Sequence, residues 1–162
     1  MIQIYKPNKN NTGHACSFSQ SDKDKAIFAT ILKQAGWNTK QSIGTFKDSR
    51  NDPNKNINIK LEPVEVGAIL DCIDRNRAFS TVHDNDKQLK TISFSPWMNK
   101  VAEGEKSTQR GFSFSISSMS KEDTTQKNSF YIGLTFAEAR LIREFLIFAL
   151  QKSFVRDAAP SI

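Results

Sequence analysis

The sequence predicts an α+β fold: two tandem strand-strand-strand-strand-helix repeats, antiparallel sheets, and two helices packed together. Three observations carry this. Residues 58–75 (NIKLEPVEVGAILDCIDR) begin with period-2 alternation and turn, within a few residues, to the 3.6-residue period of an amphipathic helix. A second copy closes the chain. Ile59-Lys60-Leu61 lies over Ile132-Gly133-Leu134 at a gapless shift of 73, which carries Glu65 onto Glu138, Ile69 onto Ile142, Cys72 onto Phe145 and Ile73 onto Leu146. Long polar loops, not helical crossovers, separate the strands before each copy, and such loops suit antiparallel hairpins.

Each copy carries its own helix start. In the second, Thr135 and Glu138 make a capping box: the hydroxyl accepts one orphan helix N–H while the carboxylate returns to another. In the first, Glu62 takes the cap slot and Pro63 the first helical position, where a missing N–H costs nothing. Helices are expected over about 63–75 and 136–152. Upstream, residues 2–5 alternate as a strand, 6–13 (KPNKNNTG) form a turn, and 15–20 form a second strand with Cys16 and Phe18 on one face. Residues 26–34 (AIFATILKQ) mix helix and strand formers; the flanking turn residues and the Ala35-Gly36 exit decide for a strand. A short strand over 43–47, the loop 48–56 and the strand 57–61 complete the first half. The second half repeats the order, with strands at 78–83, 91–97, 111–117 and 130–134 and polar loops at 100–111 and 119–129. One domain is expected over 1–156, with pseudo-repeats at about 2–76 and 77–154 and a short tail at 157–162.

The final helix is apolar over a wide arc: Leu, Ile, Phe and Ala fill 141–150 except at Arg143 and Glu144, and Arg140 and Gln151 flank the run. That arc is wider than one sheet face needs. It is expected to pack on the first helix, on a partner subunit, or on both, so a homo-oligomer is expected.

Composition narrows the partners. A hydrophobic share of 38% with 12 Phe in 162 residues supplies one sizeable core. Lys and Arg outnumber Asp and Glu by 23 to 17, a net charge of +6 that favours nucleic acid first and an acidic membrane surface second. Cys16 and Cys72 are too few for a disulfide scaffold and read as small core residues. The longest apolar run, which ends at Leu150, is far too short to span a bilayer, so no membrane partner is expected. Met1 leads straight into the alternating Ile2-Gln3-Ile4-Tyr5 without a leader pattern, which makes the cytoplasm (the host's, for a viral chain) the expected address.

Tandem repeats of this order in a small basic chain resemble the Whirly fold of plant single-stranded-DNA-binding proteins. The mitochondrial guide-RNA-binding proteins of trypanosomes share the arrangement, and the coactivator positive cofactor four is similar with one half per chain. The likeness covers about residues 2–154 and rests on topology. Lys23-Asp24-Lys25-Ala26 lies where Whirly proteins carry a Lys-Gly-Lys-Ala-type segment, with Asp24 for the glycine. The resemblance implies non-sequence-specific binding of single-stranded DNA in replication, recombination or repair, a dimeric or tetrameric assembly, and no cofactor. RNA binding by the same surface is the alternative, and a non-catalytic protein-interaction module is the reading from another class. Without a transit peptide, a bacterial or viral source fits better than a plastid.

Binding single strands takes cations that follow the phosphates and flat faces on which unstacked bases rest. Strand parity turns Tyr5, Phe28, Tyr131 and Lys60 away from the inward residues of their strands, while Trp37 and Trp97 fall at strand ends. Lys6, Lys25, Lys33, Lys47, Lys87, Lys90, Lys100 and Arg110 lie in or beside turns and complete the candidate set. Gly133, the counterpart of Lys60, is expected to leave room for a base beside Tyr131. Catalysis finds little support. His14 and His83 have no partner at metal-site spacing, no Gly-x-Ser-x-Gly elbow occurs, and no glycine-rich loop precedes either helix. Asp71, Asp74, Asp84 and Asp86 read as a solvated helix face and a turn rather than a metal cluster. No catalytic residue, metal ligand or cofactor is expected.

Overall fold

The structure, a computed structural model, describes residues 1–155, so the tail expected at 157–162 lies outside the described residues. Its strands are β1 (Ile2–Lys6), β2 (His14–Gln20), β3 (Ile27–Lys33), β4 (Gly36–Asn38), β5 (Ile43–Thr45), β6 (Asn56–Leu61), β7 (Phe79–Asp84), β8 (Gln88–Met98), β9 (Gln109–Ser120) and β10 (Lys127–Thr135). Helix α1 (Pro63–Arg75) follows β6 directly, and α2 (Phe136–Phe154) follows β10. The first sheet has the order β1-β2-β3-β6 and the second β10-β9-β8-β7, with antiparallel pairing throughout. Each is a meander whose last strand runs into a helix, as the repeat predicts.

The aligned glutamates do the same work in both halves. The Glu65 carboxylate accepts the Glu62 N–H at 2.8 Å, and Glu138 accepts the Thr135 N–H at 2.8 Å while the Thr135 hydroxyl accepts the Glu138 N–H at 3.2 Å. Helix α1 stops where Asn76 turns left-handed (φ 56°), a conformation asparagine tolerates. The inward faces of both sheets and the buried faces of both helices share one core, where Phe18 of the first sheet lies 5.3 Å from Phe114 of the second. The helices pack together, and Arg143 clamps Asp74 across them through Nε at 2.5 Å and a terminal nitrogen at 3.2 Å. On α2, Ala139, Ile142, Leu146 and Ala149 are buried, whereas Leu141 and Phe148 each stay 58% exposed.

Two features depart from expectation. A separate two-stranded sheet, β4–β5, is inserted between β3 and β6, so Trp37 lies on this hairpin instead of ending β3. Its anchor is Gln34, a 2% exposed amide just after β3. Gln34 Oε1 accepts the N–H groups of Asn8 (2.9 Å) and Gly13 (3.2 Å), and Nε2 donates to the carbonyls of Asn8 (3.0 Å) and Gly36 (2.9 Å). No periodicity announces a residue that works through its amide. Strands β8 and β9 also run well beyond the expected 91–97 and 111–117, which takes Lys90 and Arg110, expected in or beside turns, into the strands near their ends. Apolar alternation reports burial, and the ladder of backbone hydrogen bonds continues where burial ends.

Candidate nucleic-acid interface

Residues paired across antiparallel strands share a face, so the outward side of the first sheet can be read in rows. They are Ser19–Phe28–Lys60, Gln3–Ser17–Thr30–Asn58 and Tyr5–Ala15–Leu32–Asn56. Tyr5 and Lys60 are exposed, Phe28 is half-buried, and a shallow groove crosses the face between Tyr5 and Asn58. One end of the face is closed by Phe46, which covers Ala15 and Leu32 and lies 5.7 Å from the Tyr5 ring. Three predicted residues, Tyr5, Phe28 and Lys60, thus meet on one surface.

The loop before β6 adds a residue that the sequence reading missed. Arg50 sits on a single 3-10 turn (Asp48–Asn51) and lines the groove. The turn is pinned by the buried Ser49, whose hydroxyl donates to the Lys33 carbonyl at 2.6 Å, and by Asn56 Nδ2, which donates to the Arg50 carbonyl at 2.8 Å. Lys47, at the start of this turn, is exposed, and Trp37 is half-buried on its hairpin.

The outward face of the second sheet is different. Its rows are Tyr131–Ser115–Ser93–Ser80, Gly133–Ser113–Ser95 and Thr135–Gly111–Trp97. The space at Gly133 is not open to a base: the Trp97 indole already fills it, and a Cβ there would come within 2.7 Å of the ring. The Arg110 guanidinium lies over the same indole at 4.5 Å, a cation–π pair at the surface. Tyr131 is 60% exposed, with its ring 4.6 Å from that of His14. Burial, then the neighbouring Lys33 charge, hold the His14 pKa below its ordinary value, so Tyr131 meets a neutral ring at pH 7.

The remaining lysines divide by what holds them. Lys6 is tied to Glu138 at 2.7 Å, and Lys25 donates to the Asp22 carbonyl at 2.8 Å. Lys100 is exposed on the β8–β9 loop. Two adjoining concavities where the sheets meet share Pro53, Gln88 and Ser118 and together make one cleft; Lys33, Lys87 and Lys127 line one part of it, and Lys90 and Arg50 the other. Lys33 Nζ donates to Asn128 Oδ1 at 2.6 Å and lies 4.4 Å over the buried Phe130 ring; Lys90 Nζ donates to the Asn58 carbonyl at 3.0 Å. Only three-dimensional proximity gathers these charges, so no spacing in the sequence could reveal the cleft.

His83 is not isolated: its Nε2 lies 2.6 Å from Oε1 of the buried Glu65, the capping carboxylate of α1. That contact has a structural role. Among the described residues, no three His, Cys, Asp or Glu side chains gather to hold a metal, and no helix is long and apolar enough to cross a membrane.

No protein-family model matches the sequence, and no curated protein matches it. Solved structures do match the backbone. The crystal structure of WHY1 from Arabidopsis thaliana superposes with a TM-score of 0.59 at 18% identity, covering 92% of this chain and 81% of that one. The fold is Whirly-like. The plant transcriptional regulator PBF-2 gives 0.57 at 15% identity over 92% of this chain and 79% of that one. MRP1/MRP2 of Trypanosoma brucei gives 0.55 at 15% identity over 96% of this chain and 87% of that one. The Whirly-like frame thus takes in nearly all of the chain.

Proposed function

We propose that the protein binds single-stranded nucleic acid without sequence preference, DNA before RNA, in the service of replication, recombination or repair. The outward face of the first sheet carries this reading, because it sets the Tyr5 and Phe28 rings beside the Lys60 and Arg50 cations on an open surface. Bases stack on the rings, each stack adding about 1–3 kcal/mol, and phosphates meet the cations. The row between them, Gln3–Ser17–Thr30–Asn58, holds hydroxyls and amides, which bond to any base. Trp97 under Arg110 and the exposed Tyr131 form a second stacking area on the other sheet. The Whirly-like fold supports the reading by analogy.

The unit is proposed to assemble as a homo-oligomer in the cytoplasm. Leu141 and Phe148 lie seven residues apart on one stripe of α2, both 58% exposed, and a second copy of the chain would cover them. Light scattering at micromolar concentration tests this, and a monomer there removes the oligomer from the proposal. Binding is tested by titrating labelled oligo-dT, an RNA of equal length and a duplex, read by anisotropy and tryptophan emission. Preference for oligo-dT is expected. Preference for RNA would move the assignment to that polymer, and equal or absent binding to all three would favour a protein-interaction module.

A further inference from the structure

We propose that the phosphodiester backbone of a bound single strand leaves the outward face of the first sheet over the edge strand β6 and runs into the cleft between the sheets, which takes phosphates and no bases. This rests on the single-strand reading above and gives the strand a path. Continuity is the first argument. Arg50, Asn56 and Asn58 line both the groove on the outward face and the cleft, so the two concavities meet across β6. β6 is the edge of its sheet, and the way across it is marked by the Lys90 ammonium on the Asn58 carbonyl.

Charge is the second argument. Five cations (Lys33, Arg50, Lys87, Lys90, Lys127) line the cleft, and its other lining residues include no carboxylate. Lys33 and Lys90 are held by neutral oxygens, each with N–H donors to spare, so both are positioned without being neutralised. Burial lowers the Lys33 pKa, the mark of a charge that lacks a counter-ion and gains from one. The cleft gives bases nothing to stack on: its aromatic residue, Phe130, is 1% exposed and lies beneath Lys33. Along the path, rings set among cations come first and cations alone follow. From β1 to β6 the strand would cross three inter-strand spacings, about 14 Å, before reaching the cleft.

Lys87 and Lys127 are exposed and make no ion pair among the described residues, so replacing both leaves the fold undisturbed. The experiment measures anisotropy of labelled oligo-dT across a salt series for the wild type, Lys87→Ala/Lys127→Ala, and Lys60→Ala, with thermal melts to verify folding. Each phosphate contact to a single strand contributes about 0.7 to the slope of log affinity against log salt. The double variant is expected to lower the slope by about 1.4 for long oligonucleotides, and by nothing for oligonucleotides too short to pass β6. A double variant with the wild-type slope at every length, alongside a Lys60→Ala variant with a reduced slope, overturns the cleft path and leaves the binding surface standing. A wild type that binds no single strand overturns both.

Discussion

Replacing Gln34 by leucine should cost far more than its place beside a surface hairpin implies. The side chain satisfies four backbone groups, two N–H and two C=O, and leucine satisfies none. Gly13, whose N–H points at Oε1, is buried, so that orphaned donor costs about 1–3 kcal/mol. Asn8 and Gly36 are half-buried, and their three groups recover part of their hydration, at about 0.5–1 kcal/mol each. The sum is about 2.5–6 kcal/mol, a large part of the roughly 5–15 kcal/mol that holds a typical domain together. Urea unfolding followed by tryptophan emission measures it directly, with an unchanged slope showing that the transition remains two-state. Gln34→Glu is the discriminating control. It keeps the shape but turns an acceptor toward the Asn8 and Gly36 carbonyls, so it should destabilise as much as leucine. A loss below 1 kcal/mol for Gln34→Leu, or a well-tolerated Gln34→Glu, would refute the four-bond account.

Other outcomes follow from the same geometry. Lys60→Ala should lower the salt slope of oligo-dT binding by about 0.7, whereas Tyr5→Ala should leave the slope unchanged and cost about 1–3 kcal/mol of affinity. Equal slope changes from the two would sink the separation of charge from stacking. Gly133→Ala should cost about 1–3 kcal/mol of stability and shift the Trp97 emission to the red, since the new methyl evicts the indole from its place; an unshifted spectrum contradicts that. Cys16 is buried, its thiol pushed up to about 12 chiefly by that burial, so it should resist thiol reagents until the protein unfolds. Acid should destabilise through carboxylates with lowered folded pKa values, among them Asp74, hydrogen-bonded by Arg143, and Glu138, where burial pushes upward but the Lys6 and Thr135 contacts outweigh it. Their contribution is complete above the unfolded values of about 4 and disappears as pH falls through the folded ones. Urea midpoints should hold down to about pH 5 and then fall, less steeply at the Glu138 step in Lys6→Ala.

The fold was legible because its signals are local and repeated. A period switch, a cap glutamate and an apolar stripe each occur within a few residues, and the second copy removes the ambiguity of the first. The segment around Phe28 illustrates the gain: its composition is undecided, but the turn residues on either side admit only a strand. Surface parity was equally readable for Tyr5, Phe28, Lys60 and Tyr131, since alternation assigns every side chain in a strand to a face. What escaped depends on distance across the fold. Lys6 looked free until Glu138, far along the chain, arrived beside it, and Gly133 looked open until Trp97 reached across β9. Arg50 sits in a loop whose conformation is set by the Ser49 hydroxyl and the Asn56 amide, contacts with no periodic signature.

The unlike outward faces of the two sheets have a consequence for how such a protein can change over time. A pair of identical halves must show the same surface twice, because its symmetry copies every substitution onto both sheets. Joining the halves in one chain lifts that constraint. The buried positions still answer to each other, and Glu65 and Glu138 have kept one task. The outward positions are released: one sheet has gathered rings and cations across its strands, while the other became a pavement of serine bordered by Tyr131 and by the Trp97 indole under Arg110. Asymmetry of this kind would give the proposed single strand a direction, from the ring-and-cation face of the first sheet toward the cleft, which a symmetric pair has no means to impose.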